Sequence, residues 1–486
     1  MRVTTILALC VPLLACTCQK KAAPAAPAAP VEKRVREASV AGSFYPGDPA
    51  ELQKMVKGFL DKVEREAKAP VRMVLTPHAG FVYSGQIAAR ALKQLDPGFE
   101  RVVIIAANHS NDAHYIGVSV DRATHFRLPG FEIPVSKVAE ALLGKPGFGD
   151  IPEAHTSHVI EVELPFLRAI RGEKPFEILP LLIGRLSRPQ ARGIAAELKR
   201  LDDGKTAFVF SLDLSHYHPY DEAVRRDRSC LDALERMNAD DVARCDTDGT
   251  QILMVMTELA ALQGMTPRLL EYKNSGDVSG DKSGVVGYGA LVYEDRFELT
   301  EDEGGALLEL ARQALEARVR ERKEIDVPAH LLARYPRLGI ERGAFVTLKK
   351  GGELRGCIGT LQAHQSLAQD VVSNAINAAV NDSRFEPVKP EELVAIDVSI
   401  SVLDAPRPLE GVRGDALVAK LGAERPGLII NYRGRRSTFL PEVWEQLPEP
   451  TDFLGHLCVK QGSPADCWRK DEARFETYGA QHLGKE

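Results

Sequence analysis

The sequence predicts a chain of two domains, a layered α/β domain followed by a smaller α+β domain. At 486 residues the chain is longer than the roughly 250–300 residues that one hydrophobic core usually supports. Up to about Tyr293, short β-rich apolar runs alternate with helical patterns, which favours a layered α/β domain. A charged break at Thr300–Glu303 then predicts the domain boundary, and the strands beyond it do not alternate regularly with helices.

The N-terminus predicts export and lipidation. The apolar run Val3–Ala15 is too short for a membrane-spanning helix of about 20 residues and is typical of a signal-peptide core. It ends in Leu13-Leu14-Ala15-Cys16, which resembles the lipobox of bacterial lipoproteins and implies cleavage of residues 1–15 and a lipid on Cys16. Residues 16–35, rich in Ala and Pro, form a predicted tether. We therefore expect a lipid-anchored envelope protein on the periplasmic side of the inner or outer membrane.

Charge and cysteine usage narrow the function classes. A net charge of −6 gives no general electrostatic reason to bind nucleic acid, so no nucleic-acid partner is predicted. The eight cysteines are scattered and do not form a dense disulfide framework. Cys458 and Cys467 lie close enough in sequence to pair in an oxidising compartment, although spacing alone does not establish the bond.

Hydrophobic periodicity locates the main elements of both domains. In the first domain the predicted strands are Val71–Leu75, Val102–Ala106, Ile178–Ile183 and Ala207–Ser211, and the predicted helices are Ala50–Ala67, Gly85–Leu95 and Pro189–Leu201. In the second domain a helix is predicted at Ala306–Lys323, with strands at Phe345–Lys349, Ala395–Leu403 and Gly427–Asn431.

Three predicted strands of the first domain each run into a histidine. His78 follows the first of them, His109 follows the second, and His216 comes shortly after Ala207–Ser211. Ligands of open α/β sheets bind at the carboxyl ends of the strands, so these histidines can converge on one cleft. Imidazole is a common transition-metal ligand, and a nearby carboxylate such as Asp213 can complete the site or orient a ring. The sequence therefore predicts a metal site.

An ordered set of motifs in the first domain resembles the Memo family across about residues 36–296. The motifs are Ala41–Pro46, Thr76–Gly80, Asn108-His109, Ile160–Phe166, Ser211–Tyr217 and Gly287–Ala290. The resemblance implies a fold similar to class III extradiol dioxygenases, whose non-haem iron is held by two His and one Glu. It also implies iron or copper as the metal. It carries over His78, His109, Asp213 and His216 as site residues.

Two departures from the Memo pattern leave part of the site open. His158 and Glu161 match the family, but the first carboxylate and the hydroxyl of its Glu-His-Ser run are replaced. The family's cysteine ligand corresponds either to Cys245 or, by replacement, to Asp248. We take His78, His109, His216 and Cys245 as metal candidates, and His158, Asp213 and Glu161 as acid–base or supporting candidates. An oxygen ligand in place of sulfur would move the preference away from Cu(I).

The second domain contains a predicted hairpin that carries Cys357 between two glycines, next to Arg355. Together with Asn381–Phe385 and Phe439–Trp444, this strand resembles the AMMECR family across about residues 303–480. Cys357 is therefore a candidate nucleophile in a concave site. Memo, AMMECR and a radical-SAM protein define the AmmeMemoRadiSam system, so the resemblance also implies a radical-SAM partner on a separate chain.

Two classes of function fit these observations. The first is a metal-dependent, dioxygenase-like oxidoreductase that uses iron or copper on an unknown substrate. The second is a non-catalytic envelope binding or scaffold protein that holds a peptide or a metal in the Memo cleft; metal buffering is a related alternative. An open coordination position, which catalytic metal sites need, distinguishes an enzyme from a binder. The sequence does not predict an oligomeric state.

Overall fold

A computed structural model describes residues 32–67, 69–110, 114–404 and 406–485. The predicted signal peptide, the predicted lipidation site Cys16 and most of the predicted tether lie outside these residues. Among the helices that are described, none combines the length and the apolar character that crossing a membrane requires. The chain has an α/β domain followed by a smaller α+β domain, which confirms the predicted fold class.

The first domain has twelve strands and nine helices among the described residues. Its strands are β1 (Val35–Glu37), β2 (Val71–Thr76), β3 (Arg101–Ala107), β4 (Val118–Val120), β5 (His125–Leu128), β6 (Phe131–Pro134), β7 (Phe148–Gly149), β8 (Glu177–Ile183), β9 (Thr206–Ser211), β10 (His216–His218), β11 (Thr266–Asn274) and β12 (Val285–Glu294). Its helices are α1 (Pro49–Leu60), α2 (Phe81–Leu92), α3 (Val138–Leu142), α4 (Leu164–Arg171), α5 (Arg188–Lys199), α6 (Tyr220–Glu235), α7 (Ala239–Val242), α8 (Thr250–Gln263) and α9 (Ser275–Ser279).

One mixed sheet organises this domain, in the order β10-β12-β2-β9-β3-β8-β4-β7, with β11 paired to β12. The central strands β2, β9, β3 and β8 are parallel, so their carboxyl ends meet at one edge. Alternate residues of β3 face opposite sides: Val103 and Ile105 pack with helices α5 and α8, whereas Val102 and Ile104 pack with α1, α2 and α4. Both faces are therefore covered, as expected for buried parallel strands.

The first two helices of this domain differ most from their predicted bounds. Helix α1 ends at Leu60 and does not continue to Ala67, because Lys93 donates hydrogen bonds to the carbonyls of Leu60 and Val63 over 2.8 and 2.6 Å. Helix α2 begins at Phe81, four residues before the prediction. Phe81 and its neighbours have modest helix propensity, but burial of the Phe81 ring outweighs it.

The second domain contains two four-stranded sheets. Its strands are β13 (Ala344–Lys350), β14 (Glu353–Gly359), β15 (Ile396–Leu403), β16 (Arg407–Pro408), β17 (Gly427–Tyr432), β18 (Arg435–Phe439), β19 (Arg474–Tyr478) and β20 (Ala480–Leu483), and its helices are α10 (Glu301–Glu316), α11 (Ala329–Arg334), α12 (Leu367–Val380), α13 (Gly414–Glu424) and α14 (Pro450–Lys460). The sheet orders are β14-β13-β15-β20 and β16-β19-β17-β18.

The charged segment that the sequence marks as a break is the start of helix α10. Thr300 caps this helix, and Glu303 completes a capping box with it. Glu303 also forms a fully buried ion pair with Arg337, whose guanidinium donates to the carbonyl of Met265 in the first domain over 3.0 Å. The junction between the domains is therefore a packed, charge-paired contact.

Candidate metal centre

Three histidine rings meet at the carboxyl edge of the central strands. His78 follows β2, His109 follows β3, and His158 lies in the loop that leads to α4. One ring nitrogen from each lies within 4.8 Å of the other two. The ring centroids are 4.9 Å apart for His78 and His109, and 5.6 and 5.8 Å from that of His158. Ligands that each stand ~2.1 Å from a tetrahedral ion are roughly 3.4 Å apart, so a modest inward movement would complete the site.

Asp248 brings a carboxylate to the same cluster. Its Oδ2 lies 2.8 Å from His78 Nε2 and 3.0 Å from His109 Nε2, and its side chain is 90% buried. The contact to His78 is too poorly aligned for a hydrogen bond, whereas His109 is well placed to donate one. Asp248 stands just before helix α8, so the turn between α7 and α8 aims its side chain back at the strand ends.

The three hydrogen-bond partners of Ser211 determine which neighbouring groups carry a proton. Ser211 Oγ lies 2.6 Å from the carbonyl of Val159, 3.0 Å from Glu163 Oε1 and 3.1 Å from His78 Nδ1. A hydroxyl has one proton and a carbonyl only accepts, so Ser211 donates to Val159. Glu163 and His78 must each donate to Ser211. Glu163 is therefore protonated, and His78 carries hydrogen on Nδ1, which leaves Nε2 as its metal-binding atom.

The electrostatics of the cluster agree with a proton on Glu163 and with hydrogen on Nδ1 of His78, and they add a second proton on His78 Nε2 that a metal ion would displace. Burial raises the pKa of Glu163 to about 8, which favours the protonated carboxyl that this assignment requires. Burial lowers the pKa of His78, but the charges of Asp213 and Asp248 outweigh burial and raise that pKa to about 9. Burial and the charges of His78 and His109 lower the pKa of His158 to about 3. Burial opposes ionisation of Asp248, yet the neighbouring histidines hold its pKa below the ordinary range.

The residues present fit a metal ion. His78 Nε2 and Asp248 Oδ1 are buried and have no hydrogen-bond partner among the described residues. Buried polar atoms without partners are costly, and coordination to a cation would satisfy both. Three imidazole nitrogens and one carboxylate oxygen are donors that suit divalent iron, copper or zinc. His158, which the sequence assigned to acid–base work, takes a ligand position in this geometry.

His216 does not join the cluster, which corrects its assignment as a ligand. Its Nδ1 lies 2.9 Å from the carbonyl of Leu214, and its ring packs against Tyr217. The chain runs four residues beyond β9 before His216 begins β10, at the far edge of the sheet. Strands β2 and β12 separate β10 from β9, so His216 lies outside the group of three ring nitrogens, although its charge still acts on Asp213.

Cys245 is also not a ligand, because it forms a disulfide with Cys230 of helix α6. Asp248, three residues further on, brings a carboxylate from this turn to the cluster, which favours the second of the two alternatives left by the sequence. The second disulfide joins Cys458 and Cys467, as their proximity in sequence allowed.

The other two predicted carboxylates hold backbone in place. Asp213 accepts the backbone N–H of His78 over 2.9 Å and is buried behind the cluster, where burial raises its pKa. Glu161 accepts from the backbone N–H groups of Ser39 and Val40, from the Ser39 hydroxyl and from the Tyr45 hydroxyl. Glu161 thus anchors the N-terminal segment to the His158 loop. Glu163, which the sequence reading passed over, is the carboxyl group that supports a ligand.

A buried polar network fixes the loop that carries His158. Arg36 donates to the carbonyls of His155 and Ser157. The ring of His155 lies 2.9 Å from the Ser119 hydroxyl and 3.5 Å from Asp121. This serine, histidine and aspartate resemble a hydrolytic triad in composition, but Ser119 is fully buried and is not accessible to a substrate. The network is therefore structural and pre-positions His158.

A small cavity adjoins the cluster. It has a volume of about 170 Å³, and its lining includes Asp248, Asn108, Arg185 and Gln251. At ~30 Å³ for each water it holds about five waters, which suits a small ligand. A larger cavity of about 670 Å³ lies between α1 and α4, and its lining includes no residue of the cluster. The smaller cavity is the better candidate for a substrate site, because a candidate metal ligand, Asp248, lines it.

In the second domain, Cys357 is the one free cysteine of the described residues and is partly exposed. Thr347 donates to its sulfur over 3.3 Å, and Asp382 and Arg384 bind its backbone. Arg355 points elsewhere and pairs with Glu392.

The glycines beside Cys357 serve packing. A methyl group on Gly356 would overlap the carbonyl of Ala378 in α12, and one on Gly359 would overlap the ring of Phe345. Both glycines are therefore required for close packing against these neighbours.

Comparison with known proteins assigns the chain. The family model described as Memo-like protein matches residues 36–292, more than half of the chain. The chain belongs to the Memo-like protein family. A second family model, AMMECR1, matches residues 308–483, so the chain is a fusion of a Memo-like domain and an AMMECR1 domain.

Relatives of the Memo-like domain occur in archaea and bacteria. A MEMO1 family protein of Methanopyrus kandleri is 34% identical over 286 residues, which cover 53% of this chain and 98% of that protein. A MEMO1 family protein of Aquifex aeolicus is 32% identical over 272 residues, which cover 54% of this chain and 99% of that protein. Among solved structures, an uncharacterized protein from Pyrococcus horikoshii matches 39% of this chain, a smaller share than these MEMO1 family proteins match, and 95% of that protein, with 33% identity and a TM-score of 0.37.

Proposed function

We propose that the Memo-like domain is a metal-dependent redox enzyme related in chemistry to non-haem iron dioxygenases. The observation that carries this proposal is the convergence of three histidine rings, two of which contact one buried carboxylate. His78, His109, His158 and Asp248 would hold the metal. Imidazole and carboxylate donors favour iron(II), and the absence of a thiolate among the four moves the preference away from Cu(I).

The chain's own residues would orient the metal and the substrate. Glu163 and Ser211 hold the His78 ring with Nε2 toward the cluster, and Asp213 fixes the backbone of the same residue. The small cavity beside Asp248 would admit a compact substrate, with Arg185 and Gln251 as polar groups on its wall. A bound iron ion would supply one-electron redox chemistry there. The substrate class within this cavity is small and polar.

Metal analysis of variants tests this proposal. We expect near-stoichiometric iron in chain purified from its native envelope, and at least a tenfold lower iron content in His158→Ala and Asp248→Asn, because each removes a donor. His216→Ala is the matched control, since this histidine lies outside the cluster, and it should keep its iron. Equal metal content in all variants would contradict the proposed site.

Oxygen consumption separates an enzyme from a binding protein. The iron-loaded chain is incubated with candidate phenols and thiols, and oxygen uptake is followed with an electrode. Uptake that depends on both substrate and iron supports the redox enzyme. Stoichiometric metal without uptake by any substrate supports the alternative, an envelope protein that binds or buffers metal.

We also propose that the mature chain is anchored in the cell envelope by a lipid on Cys16, on the periplasmic side. The support is the lipobox-like tetrad before it and the Ala/Pro-rich segment after it. Mass spectrometry of protein from the native host should find an acylated Cys16 terminus, and Cys16→Ala should abolish acylation. An unprocessed Met1 terminus would contradict the proposal.

We propose a radical-SAM protein as a partner on a separate chain. The support is the fusion of two of the three components of the AmmeMemoRadiSam system. Affinity purification after crosslinking in the native host should recover that protein with the full chain. Its recovery at the level of an untagged control strain would argue against direct contact.

A further inference from the structure

The disulfide Cys230–Cys245 ties the Asp248 turn to helix α6. Cys230 lies on α6 and is buried, whereas Cys245 is half-buried and begins the turn that leads to α8. Asp248 follows only three residues later. The carbonyl of Cys245 also accepts a hydrogen bond from the Thr250 hydroxyl over 3.0 Å. The covalent bond therefore fixes one end of the short segment that delivers the carboxylate.

A basic cavity opens onto this disulfide. It has a volume of about 520 Å³ and is lined by both cysteines, by four arginines and by two aspartates. The arginines are Arg225, Arg226, Arg236 and Arg244, and the aspartates are Asp241 and Asp246. Cations therefore outnumber anions around the sulfurs. Such surroundings attract an anionic reagent and stabilise the thiolate that leaves during exchange.

We propose that Cys230–Cys245 is a thiol-exchange site for anionic thiols, and that opening it weakens metal binding at Asp248. The second half of the proposal rests on the proposed metal function. The first half depends only on the disulfide and its basic cavity. The other disulfide of the described chain, Cys458–Cys467, has both cysteines fully buried, so it provides an internal comparison.

The exchange is balanced by two thiols. A thiolate attacks the sulfur of Cys245, the more exposed of the two residues. The Cys245–Cys230 bond breaks, and Cys230 leaves as a thiolate while a mixed disulfide forms on Cys245. A second thiol of the same class attacks the reagent's sulfur in that mixed disulfide and releases Cys245. The protein disulfide gains two electrons and, at neutral pH, protons from solvent. The two thiols lose those electrons and become a disulfide.

Opening the bond acts on the metal site through the turn. With the disulfide closed, residues 245–248 connect a fixed sulfur to a carboxylate that faces two histidines. With the disulfide open, Asp248 must be ordered by its own contacts, and that ordering costs conformational entropy. Outer contacts that position ligands commonly change metal affinity by about 10–100-fold. We expect an effect near the lower end, about tenfold.

The exchange half is tested by the rate of opening. Full chain is incubated with glutathione, an anionic thiol, or with cysteamine, a cationic one, then quenched with acid, alkylated and analysed by peptide mass spectrometry. Cys230–Cys245 should open before Cys458–Cys467, and faster with glutathione once rates are corrected for each reagent's thiolate fraction. Arg225→Gln with Arg244→Gln should slow the glutathione reaction more than the cysteamine reaction, because only the anionic reagent also loses its attraction to the cavity. Equal rates for the two disulfides, or for the two thiols, would overturn the exchange site.

The metal half is tested by affinity. Fe²⁺ binding under anaerobic conditions is measured by chelator competition for the native chain and for Cys230→Ser/Cys245→Ser. The double variant should bind about tenfold more weakly, and Cys458→Ser/Cys467→Ser should match the native chain. Unchanged or tighter binding by the first variant would overturn the link to Asp248. Absence of binding by the native chain would refute the proposed metal function and the link, while the opening rates would still decide the exchange site.

Discussion

Substitution by glutamine should be tolerated at Glu163 and should destabilise the fold at Glu161, although the two residues are only two positions apart. Glu163 is predicted to be a protonated donor to Ser211 and an acceptor from Thr76. An amide can make the same two bonds, so Glu163→Gln should preserve the site. Glu161 accepts hydrogen bonds from four donors and donates none of them. In Glu161→Gln the NH₂ group of the new amide would face hydrogen-bond donors, and it cannot accept their hydrogen bonds.

The magnitudes follow from burial. Both carboxyl groups are almost fully buried, so water does not compensate for a lost bond. Glu163→Gln should cost less than about 1 kcal/mol, because both hydrogen bonds persist. Glu163→Ala leaves Ser211 and Thr76 without this partner and opens a cavity, at a cost of about 2–5 kcal/mol. Glu161→Gln loses a charge-assisted network and should cost about 2–4 kcal/mol.

Calorimetry and infrared spectroscopy check this prediction. Calorimetry gives the unfolding transition that contains the Memo-like domain, and chelator competition gives the Fe²⁺ affinity of each variant. Infrared spectra should show a protonated carboxyl band that moves in D₂O and disappears in Glu163→Gln. If Glu163→Gln is as damaging as Glu163→Ala, or if no such band exists, the proton assignment behind His78 is refuted.

Three further predictions concern the second domain and its junction with the first. Arg337→Met should destabilise the chain by about 3–5 kcal/mol in urea unfolding, because it leaves Glu303 charged and buried. Adding Glu303→Leu should recover part of this loss, and an unchanged urea midpoint for the single variant would contradict the prediction. Gly356→Ala should cost about 1–3 kcal/mol through overlap with Ala378, and thermal unfolding equal to that of the native chain would refute the packing role. Iodoacetamide should label Cys357 in the folded chain, because this residue is partly exposed and is not in a disulfide; labelling only after denaturation would contradict this exposure.

The core of the first domain was predictable because its parallel strands are continuous apolar runs. The strands β2, β3, β8 and β9 begin and end within about one residue of their predicted bounds. The ends of helices were less predictable, because they depend on distant partners. Lys93, which binds the carbonyls at the end of α1, is more than thirty residues away in sequence.

The candidate site was predictable where a histidine directly follows a central strand. His78 and His109 are such residues, and the structure brings them together. His216 was predicted to lie in the cluster and does not, whereas His158 does, because the end of a strand determines the position of only the next few residues. His216 starts an edge strand, whereas the network around Arg36 and His155 folds the His158 loop onto the cluster.

The supporting residues required three-dimensional information. Nothing in the pattern around Glu163 distinguishes it from Glu161, and only their hydrogen-bond partners separate a donor from an acceptor. The choice of Asp248 over Cys245 likewise depended on Cys230, which lies on another helix. The sequence signals for Asp248 were its match to the position of the family's cysteine and its place just before Gly249, the N-cap of α8, where a side chain can turn back toward the strand ends.

Locating a bound ion tests the central claim most directly. Crystals of the full chain loaded with Fe²⁺ are measured on both sides of the iron absorption edge, and an anomalous difference map is computed from the two data sets. The account predicts one strong peak enclosed by His78, His109, His158 and Asp248, which weakens in Asp248→Asn crystals grown under the same conditions. A peak at His216 or His218 instead, or no peak in a chain shown to carry iron in solution, would contradict the account.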